Sequence, residues 1–597
     1  MNHSFYIPVM GLAFTVDTPL KVAKYGISSV ISIVDDELLE RMRAYHAERE
    51  KLPYTPISRR EEDSRARRIT AYLDLVQALV ERQLISAKKE GFVEDGVLHR
   101  YFTYLPDTSV LKQEYERMLL LKDHSEREAV QAALIDQVAA GNIDVNIMSK
   151  VDKANLGQKG DLPEKQYSDA LAALRGFARS KLSSSLVLSA GMNPRLYSYL
   201  SEWKDFYPDE RGSLKKRVIL KVSDYRSALI QARFLAKKGI WVSEFRIESG
   251  LNCGGHAFAT EGQLLGPILE TFKQQRSVLH TELYAILQAA LRARGASCPE
   301  QLHFRVTTQG GVGTAGEHAF LLEHYGLDAV GWGSPFLLVP EATNVDACTL
   351  QELVDAKPDD YYVSNASPLG VPFNHFRRSS AERLRQSRIE AGIPGSPCEK
   401  RYLVSNTEFT QSPICTASRA YQRLKINELK HVAGLSANAL AEAIERVQEK
   451  TCLCQGLSTA AYLVNGLLAP TEERAVSICP GPNLIWFKGI FSLKQMIGHI
   501  YGRESLISTG DRPNLFINEL LLYIEHLKKH RASQQKVTCG LSDAYADRFY
   551  EGLRNGLAYY WKLNENFRKD YPDVFATMKA SLKQAEEALD ELASVKL

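Results

Sequence analysis

The residues best suited to chemistry in this chain are glycines. The run Thr308-Gln309-Gly310-Gly311-Val312-Gly313-Thr314-Ala315-Gly316-Glu317 opens the helical pattern EHAFLLEHY. Adjacent glycines adopt backbone conformations closed to other residues, so their N–H groups can converge on an anion, and the following helix N-terminus adds partial positive charge. Gly310, Gly311 and Val312 therefore read as a phosphate cradle. A second small-residue turn, Gly331-Trp332-Gly333-Ser334, brings Gly333 and the hydroxyl of Ser334 to the same task.

A second constellation is Glu248-Ser249-Gly250-Leu251-Asn252-Cys253-Gly254-Gly255-His256. Its glycine pair permits close approach of a planar ring and delivers an imidazole, whose unperturbed pKa of about 6.5 suits proton exchange at neutral pH. His256 is the candidate acid–base residue. The nine cysteines are odd in number and show no framework spacing, which points to reduced thiols in a reducing compartment. Cys415, Cys452, Cys454 and Cys479, with Cys398 as a substitute, form a candidate four-thiolate site for zinc or an iron–sulfur cluster. Cys-Leu-Cys is a weak ligand spacing, however, and buried apolar thiols are the competing reading. His375, in Pro372-Phe373-Asn374-His375-Phe376-Arg377, reads as a packing or capping residue unless it reaches over a ligand.

The elements that position these residues alternate. FYIPVMGLAF (5–14) and Val30–Val34 read as strands, joined by a short helix that Thr18-Pro19-Leu20 opens with a hydroxyl cap and an early proline. Further strands are expected at Ile143–Ile147, Ser185–Leu188, Val218–Val222, Val242–Ile247, His303–Thr307 and Leu327–Gly331, each followed by a helical pattern. Eight alternating strands imply a parallel sheet, and that number suggests closure into a (β/α)₈ TIM barrel. In such barrels the loops after strands seven and eight jointly bind phosphate, which is where the two glycine turns fall. The α/β barrel is expected to be discontinuous, 1–35 and 141–380. Residues 36–140, with runs such as ITAYLDLVQALVERQLI, read as a helical insertion on the catalytic face, and 381–597 as a helical C-terminal domain.

Composition narrows the function classes. The net charge is +3, from 74 basic and 71 acidic residues, so no overall field would gather nucleic acid or an anionic membrane. The basic stretch Arg59–Arg68 is interrupted by Glu61, Glu62 and Asp63 and reads as a solvated helix face. No signal peptide and no uncharged apolar run of spanning length is seen, so a soluble cytoplasmic protein with a small-molecule substrate is expected. The helical regions could also support a homo-oligomer or a protein partner.

Taken together, Pro8-Val9-Met10-Gly11 on the first strand, Asn146 on the third, Lys221 on the fifth, Gly-Gly-His after the sixth and Gly-Gly-Val after the seventh resemble, in order, the nitronate monooxygenase-like (2-nitropropane dioxygenase) flavoproteins. The similarity covers roughly 1–35 and 140–345. It implies an FMN-dependent oxidoreductase, with the FMN phosphate on Gly310, Gly311, Val312, Gly333 and Ser334. Met10, Gly11, Asn146 and Gly255 would lie beside the isoalloxazine, and Lys221 would face its N1/O2 edge. His256 would exchange a proton with substrate. Two positions depart from the family's Ala-Gly-Gly-His-x-Gly: Cys253 precedes the glycines and Phe258 replaces the last one. A flavin-dependent enoyl-thioester reductase using NAD(P)H is the alternative activity, and a flavin-binding scaffold or sensor is the alternative of another class.

Overall fold

The computed structural model describes residues 3–149, 151–153, 167–189, 191–209, 211–254, 262–296, 298–508, 512–535 and 544–594. Eight parallel strands close into a barrel: β1 (Phe5–Ile7), β2 (Ser28–Ser32), β3 (Ile143–Ile147), β4 (Ser184–Leu188), β5 (Lys216–Val222), β6 (Val242–Glu248), β7 (Arg305–Gln309) and β8 (Ala329–Gly331). Each strand pairs with its sequence neighbours, and closure is made by Phe5 opposite Val330 and Tyr6 opposite Gly331. All eight expected strands are present, with edges shifted by a few residues. A hairpin of β9 (Tyr361–Ser364) and β10 (Phe373–Phe376) follows the barrel.

Local chemistry sets the helix starts. Thr314 and Glu317 form a reciprocal capping box on the helix Ala315–Tyr325, and Asp35, Asp224 and Asp346 each cap a helix by accepting a backbone N–H. The first helix departs from expectation. Its N-cap is Asp17, while Thr18 lies inside it and donates to the Ala342 carbonyl at 2.6 Å.

The segment between β2 and β3 is helical, but it does not all lie at the catalytic end. The long helix Ser64–Glu90 takes the outer-layer position, packing on Asp169–Arg179 so closely that a Cβ at Gly176 would lie 2.8 Å from the Ala66 carbonyl. A parallel connection must return to the start of the next strand. That helix makes the return, so the rest of the segment begins at the opposite end. There the helices Val97–Tyr104, Val110–Leu120 and His124–Gln137 build a small core around Tyr101, Phe102 and Tyr115, against the turn that precedes β2.

Beyond 380 the chain is mainly helical, and its apolar side chains join the barrel's own core. One continuous buried cluster runs from Phe5 in β1 through Leu287 on the helix Leu265–Ala293 to Phe516, Tyr560 and Leu589. Among the described residues, no helix is long and apolar enough to cross a membrane.

Candidate functional site

A cavity opens at the C-terminal ends of the strands, the end where barrels place their chemistry. Its enclosed volume is about 120 Å³, and it opens to solvent. Gly11, Asn146, Lys221 and Glu248 form its floor and walls. Its roof is apolar and comes from the chain beyond β8: Phe373, Leu403, Leu453 and Leu457, with Tyr402 and Cys454.

Lys221 stands at the end of β5 with its Nζ 3.1 Å from Glu248 Oε1 at the end of β6. The same oxygen accepts from Asn252 Nδ2 and Gln309 Nε2, both at 2.9 Å. Three donors on one oxygen hold Glu248 as a carboxylate acceptor and fix the ammonium beside it. Deeper in the barrel, Arg246 bonds Glu244 at 2.8 Å and Asp144 at 3.2 Å and lies over the Tyr6 ring at 4.1 Å. Burial pushes the Asp144 carboxyl up, whereas Glu244, despite equal burial, is held below the usual range by Arg246 and Arg305. Asn146 Oδ1 is buried with no hydrogen-bond partner.

The glycine turns after β7 and β8 share this end of the barrel but do not line the cavity; they pack against Leu251, Asn252, Cys253 and Gly481. Gly310 (φ +106°) and Gly311 (φ +87°) use the left-handed region, and a Cβ on Gly311 would lie 2.5 Å from Leu251 Cδ1. A Cβ on Gly333 would lie 2.6 Å from Cys253 Sγ. Arg512 Nη2 donates to the Gly311 carbonyl and Asn483 Nδ2 to that of Val312, each at 2.8 Å. In a trans peptide the N–H points opposite the C=O, so these bonds aim the Val312 and Gly313 N–H groups away from Arg512 and Asn483. The Gly313 N–H is taken by Glu317 at 2.8 Å, and Arg512 pairs with the same carboxylate at 2.7 Å. Among the described residues, none accepts a hydrogen bond from the N–H of Gly311, Val312, Gly333 or Ser334. Buried amides without acceptors are uncommon, and a phosphate with three acceptor oxygens answers such a group. The amides at the turns fit an anion, and Gly11, Asn146 and Lys221 line the cavity at the same end of the barrel.

The other expected residues divide. Met10 is buried at 1% exposure and does not face the cavity; its backbone is pressed by the β6 loop, where a Cβ on Gly254 would lie 2.3 Å from Met10 Cα. Gly255 and His256 lie outside the described residues. Both flanks of that loop are described and are held by one carboxylate. Glu519, on the helix Leu515–Gln535, accepts from Ser249 Oγ at 2.7 Å, Gly250 N at 3.2 Å and Leu265 N at 2.6 Å. Burial pushes its carboxyl up to about 7. His375 belongs to the β9–β10 hairpin, stacked on Tyr362 and bonded to Ser364, and does not line the cavity. Burial lowers its imidazole to about 4.

The four-thiolate site is not assembled. Among the described residues, no group of three or more His, Cys, Asp or Glu side chains is placed to hold a metal. Cys454 and Cys479 pack with Phe373, Leu403 and Leu453, and Cys415 packs with Val404 and Ala417 beside Cys398. Cys479 lies against Cys253, whose thiol burial pushes up to about 12, and Cys415 bonds Cys398. These thiols fill apolar space, the commoner fate of a buried cysteine.

Glu248 and Gln309 are visible in the sequence motifs, but spacing alone gives them no role. Their position at the last residue of a barrel strand was the available signal. The roof had none. It is tied to the barrel by long-range bonds, such as Ala13 N to the Leu457 carbonyl and Gly254 N to the Cys479 carbonyl, both at 3.0 Å. A buried latch joins them: Asp35 accepts from Lys400, from Ser458 Oγ at 2.6 Å and from Tyr402 OH at 3.0 Å, and despite burial Lys400 holds its carboxyl down at about 2.

No protein-family model matches the chain, and no curated protein matches it. Among solved structures, the enoyl reductase domain of MlnA from the macrolactin biosynthesis cluster of Bacillus amyloliquefaciens is 14% identical, over 69% of this chain and 87% of that one, with a TM-score of 0.29. A nitroalkane oxidase from Streptomyces ansochromogenes is 11% identical, over 84% of this chain and 94% of that one, with a TM-score of 0.32. Likenesses this distant assign no activity to this chain.

Proposed function

We propose that this chain is an FMN-dependent oxidoreductase of the nitronate monooxygenase-like kind, acting on a small molecule with His256 as its acid–base residue. The observation that supports it is the cavity walled by Gly11, Asn146 and Lys221, at the same end of the barrel as four amides that lack acceptors among the described residues. FMN bound there would supply two-electron redox chemistry. The chain's own residues do the rest. The amides of Gly311, Val312, Gly333 and Ser334 bind the phosphate. Lys221, oriented by Glu248, would present a cation to the electron-rich edge of the ring, and Asn146 would lie against the ring. The apolar roof would lower the local dielectric and strengthen the attraction between Lys221 and negative charge on the ring. His256, carried on the β6 loop, takes or returns the substrate proton.

The test is the absorption spectrum of protein purified without oxygen, followed by anaerobic reduction. Flavin bands that bleach with a nitronate support the proposal. Bleaching by NAD(P)H alone would instead favour an enoyl-thioester reductase, and a protein that neither retains nor takes up flavin removes both.

A further inference from the structure

A second cavity lies on the flank of the barrel, formed by elements that do not contribute to the mouth. It holds about 360 Å³, and polar side chains dominate its lining. Lys24 and Tyr25 come from the turn before β2, Arg49 from the end of the helix Asp36–Arg49, Gln83 from Ser64–Glu90, and Arg100 and Tyr104 from Val97–Tyr104.

The charges around it do not balance. Of the three acids at its rim, Asp17 is already used by Lys21 at 3.2 Å and Asn344 Nδ2 at 2.6 Å, Glu50 pairs with Arg82, and Glu341 accepts from the Leu493 N–H. Among the described residues, Lys24, Arg49 and Arg100 form no ion pair. Lys24 is partly desolvated and stands near Arg100, and burial followed by that like charge lowers its affinity for a proton. His46 is only 6% exposed and lies 3.5 Å from Asp17. Glu341 is the one acid of the lining not paired with a cation, so three unpaired cations face a single carboxylate, and the surplus positive charge favours a bound anion.

We propose that this flank cavity is a binding site for a phosphorylated small molecule carrying a diphosphate, held by Lys24, Arg49 and Arg100. A single carboxylate would neutralise only one of three cations, whereas each phosphate carries about −1.5 to −2 at pH 7. Two guanidiniums supply forked donors suited to phosphate oxygens, and the Tyr25 and Tyr104 hydroxyls add neutral partners.

The experiment is calorimetric titration of inorganic pyrophosphate, orthophosphate and succinate into the full chain at low and constant ionic strength. Pyrophosphate should bind at one site and more tightly than the other two. Lys24→Gln and Arg100→Gln should each weaken it at least tenfold, and the double variant should abolish it, while thermal midpoints without ligand stay near wild type. Succinate binding as tightly as pyrophosphate would overturn the diphosphate assignment. Pyrophosphate binding unchanged in the double variant, or absent at millimolar concentration in the wild type, would overturn the site itself.

Discussion

Two regions of this chain carry residue types that suggest a cofactor, and the fold treats them in opposite ways. At the turns after β7 and β8, close packing requires glycine and, among the described residues, nothing accepts from the N–H groups of Gly311, Val312, Gly333 and Ser334. In the roof, Cys415, Cys452 and Cys454 lie near one another and near Cys398, yet among the described residues no three are placed to hold a metal, and the thiols sit among leucine, valine and phenylalanine. Residue type raises the same question in both places. Whether the buried polar atoms are satisfied answers it, because an unsatisfied buried donor is costly and a buried thiol is not.

The largest effect expected is at the turns. Gly311→Asp would place a side chain 2.5 Å from Leu251 Cδ1, at a φ that non-glycine residues rarely adopt, and a carboxylate among amides meant for an anion. FMN retention should be lost. Because this variant carries strain, Ser334→Asp provides a second measurement: it keeps the backbone and adds only the like charge. Flavin content after desalting, with circular dichroism to confirm the fold, reads both. Full retention in Ser334→Asp would break the contrast between the two regions.

His256 comes next. His256→Asn should leave FMN bound, since the phosphate contacts and most ring contacts come from other strands, and slow substrate-dependent flavin reduction by ~10²–10⁴-fold, the usual scale of general acid–base catalysis. Stopped-flow reduction of the FMN-loaded variant measures it, and a rate within a few-fold of wild type would make His256 structural.

Much of the fold is legible in the sequence. Short apolar runs followed by helical patterns locate all eight strands, because a parallel strand buried on both faces is a dense local signal. The glycine turns are legible because adjacent glycines are a local signal in consecutive residues. Lys221, Asn146 and Gly11 are placed through the resemblance, and they do meet in the cavity. The roof is not legible: Tyr402, Leu403 and Leu457 reach the mouth through tertiary contacts that leave no spacing in the sequence. Nor is the role of Glu519, which lies more than two hundred residues from the loop it holds.

Glu519 gives the third prediction, on the loop that links the two regions. Its carboxyl is raised to about 7 in the folded state, from an ordinary value of 4.5. Between those values the folded protein keeps a proton that the unfolded chain has released, so stability is full below about pH 4.5 and falls as pH rises through 7. The loss is of order 3 kcal/mol. Thermal midpoints between pH 5 and 8 should carry this downward contribution, and Glu519→Gln should remove it. An unchanged slope in the variant would show that another group sets it.

The smallest effect is expected at the thiols, where the absence of a consequence is the informative result. Cys454 is buried at 6% exposure between Leu453, Leu403 and Phe373, and its thiol is pushed well above the usual range by burial, with Cys452 and Cys398 adding to it. A metal ligand must be a thiolate, and this surrounding disfavours one. Cys454→Ser then exchanges a weakly polar sulfur for a hydroxyl in apolar packing, which should cost about 1–2 kcal/mol. Iron and sulfide should be absent from wild type and variant alike. Because Cys454 also faces the cavity, the variant's flavin spectrum should shift slightly without loss of bound flavin. Stoichiometric iron in anaerobically purified wild type, lost on Cys454→Ser together with the fold, would mean that the thiols converge in solution, and the contrast between satisfied and unsatisfied regions would fail on that side.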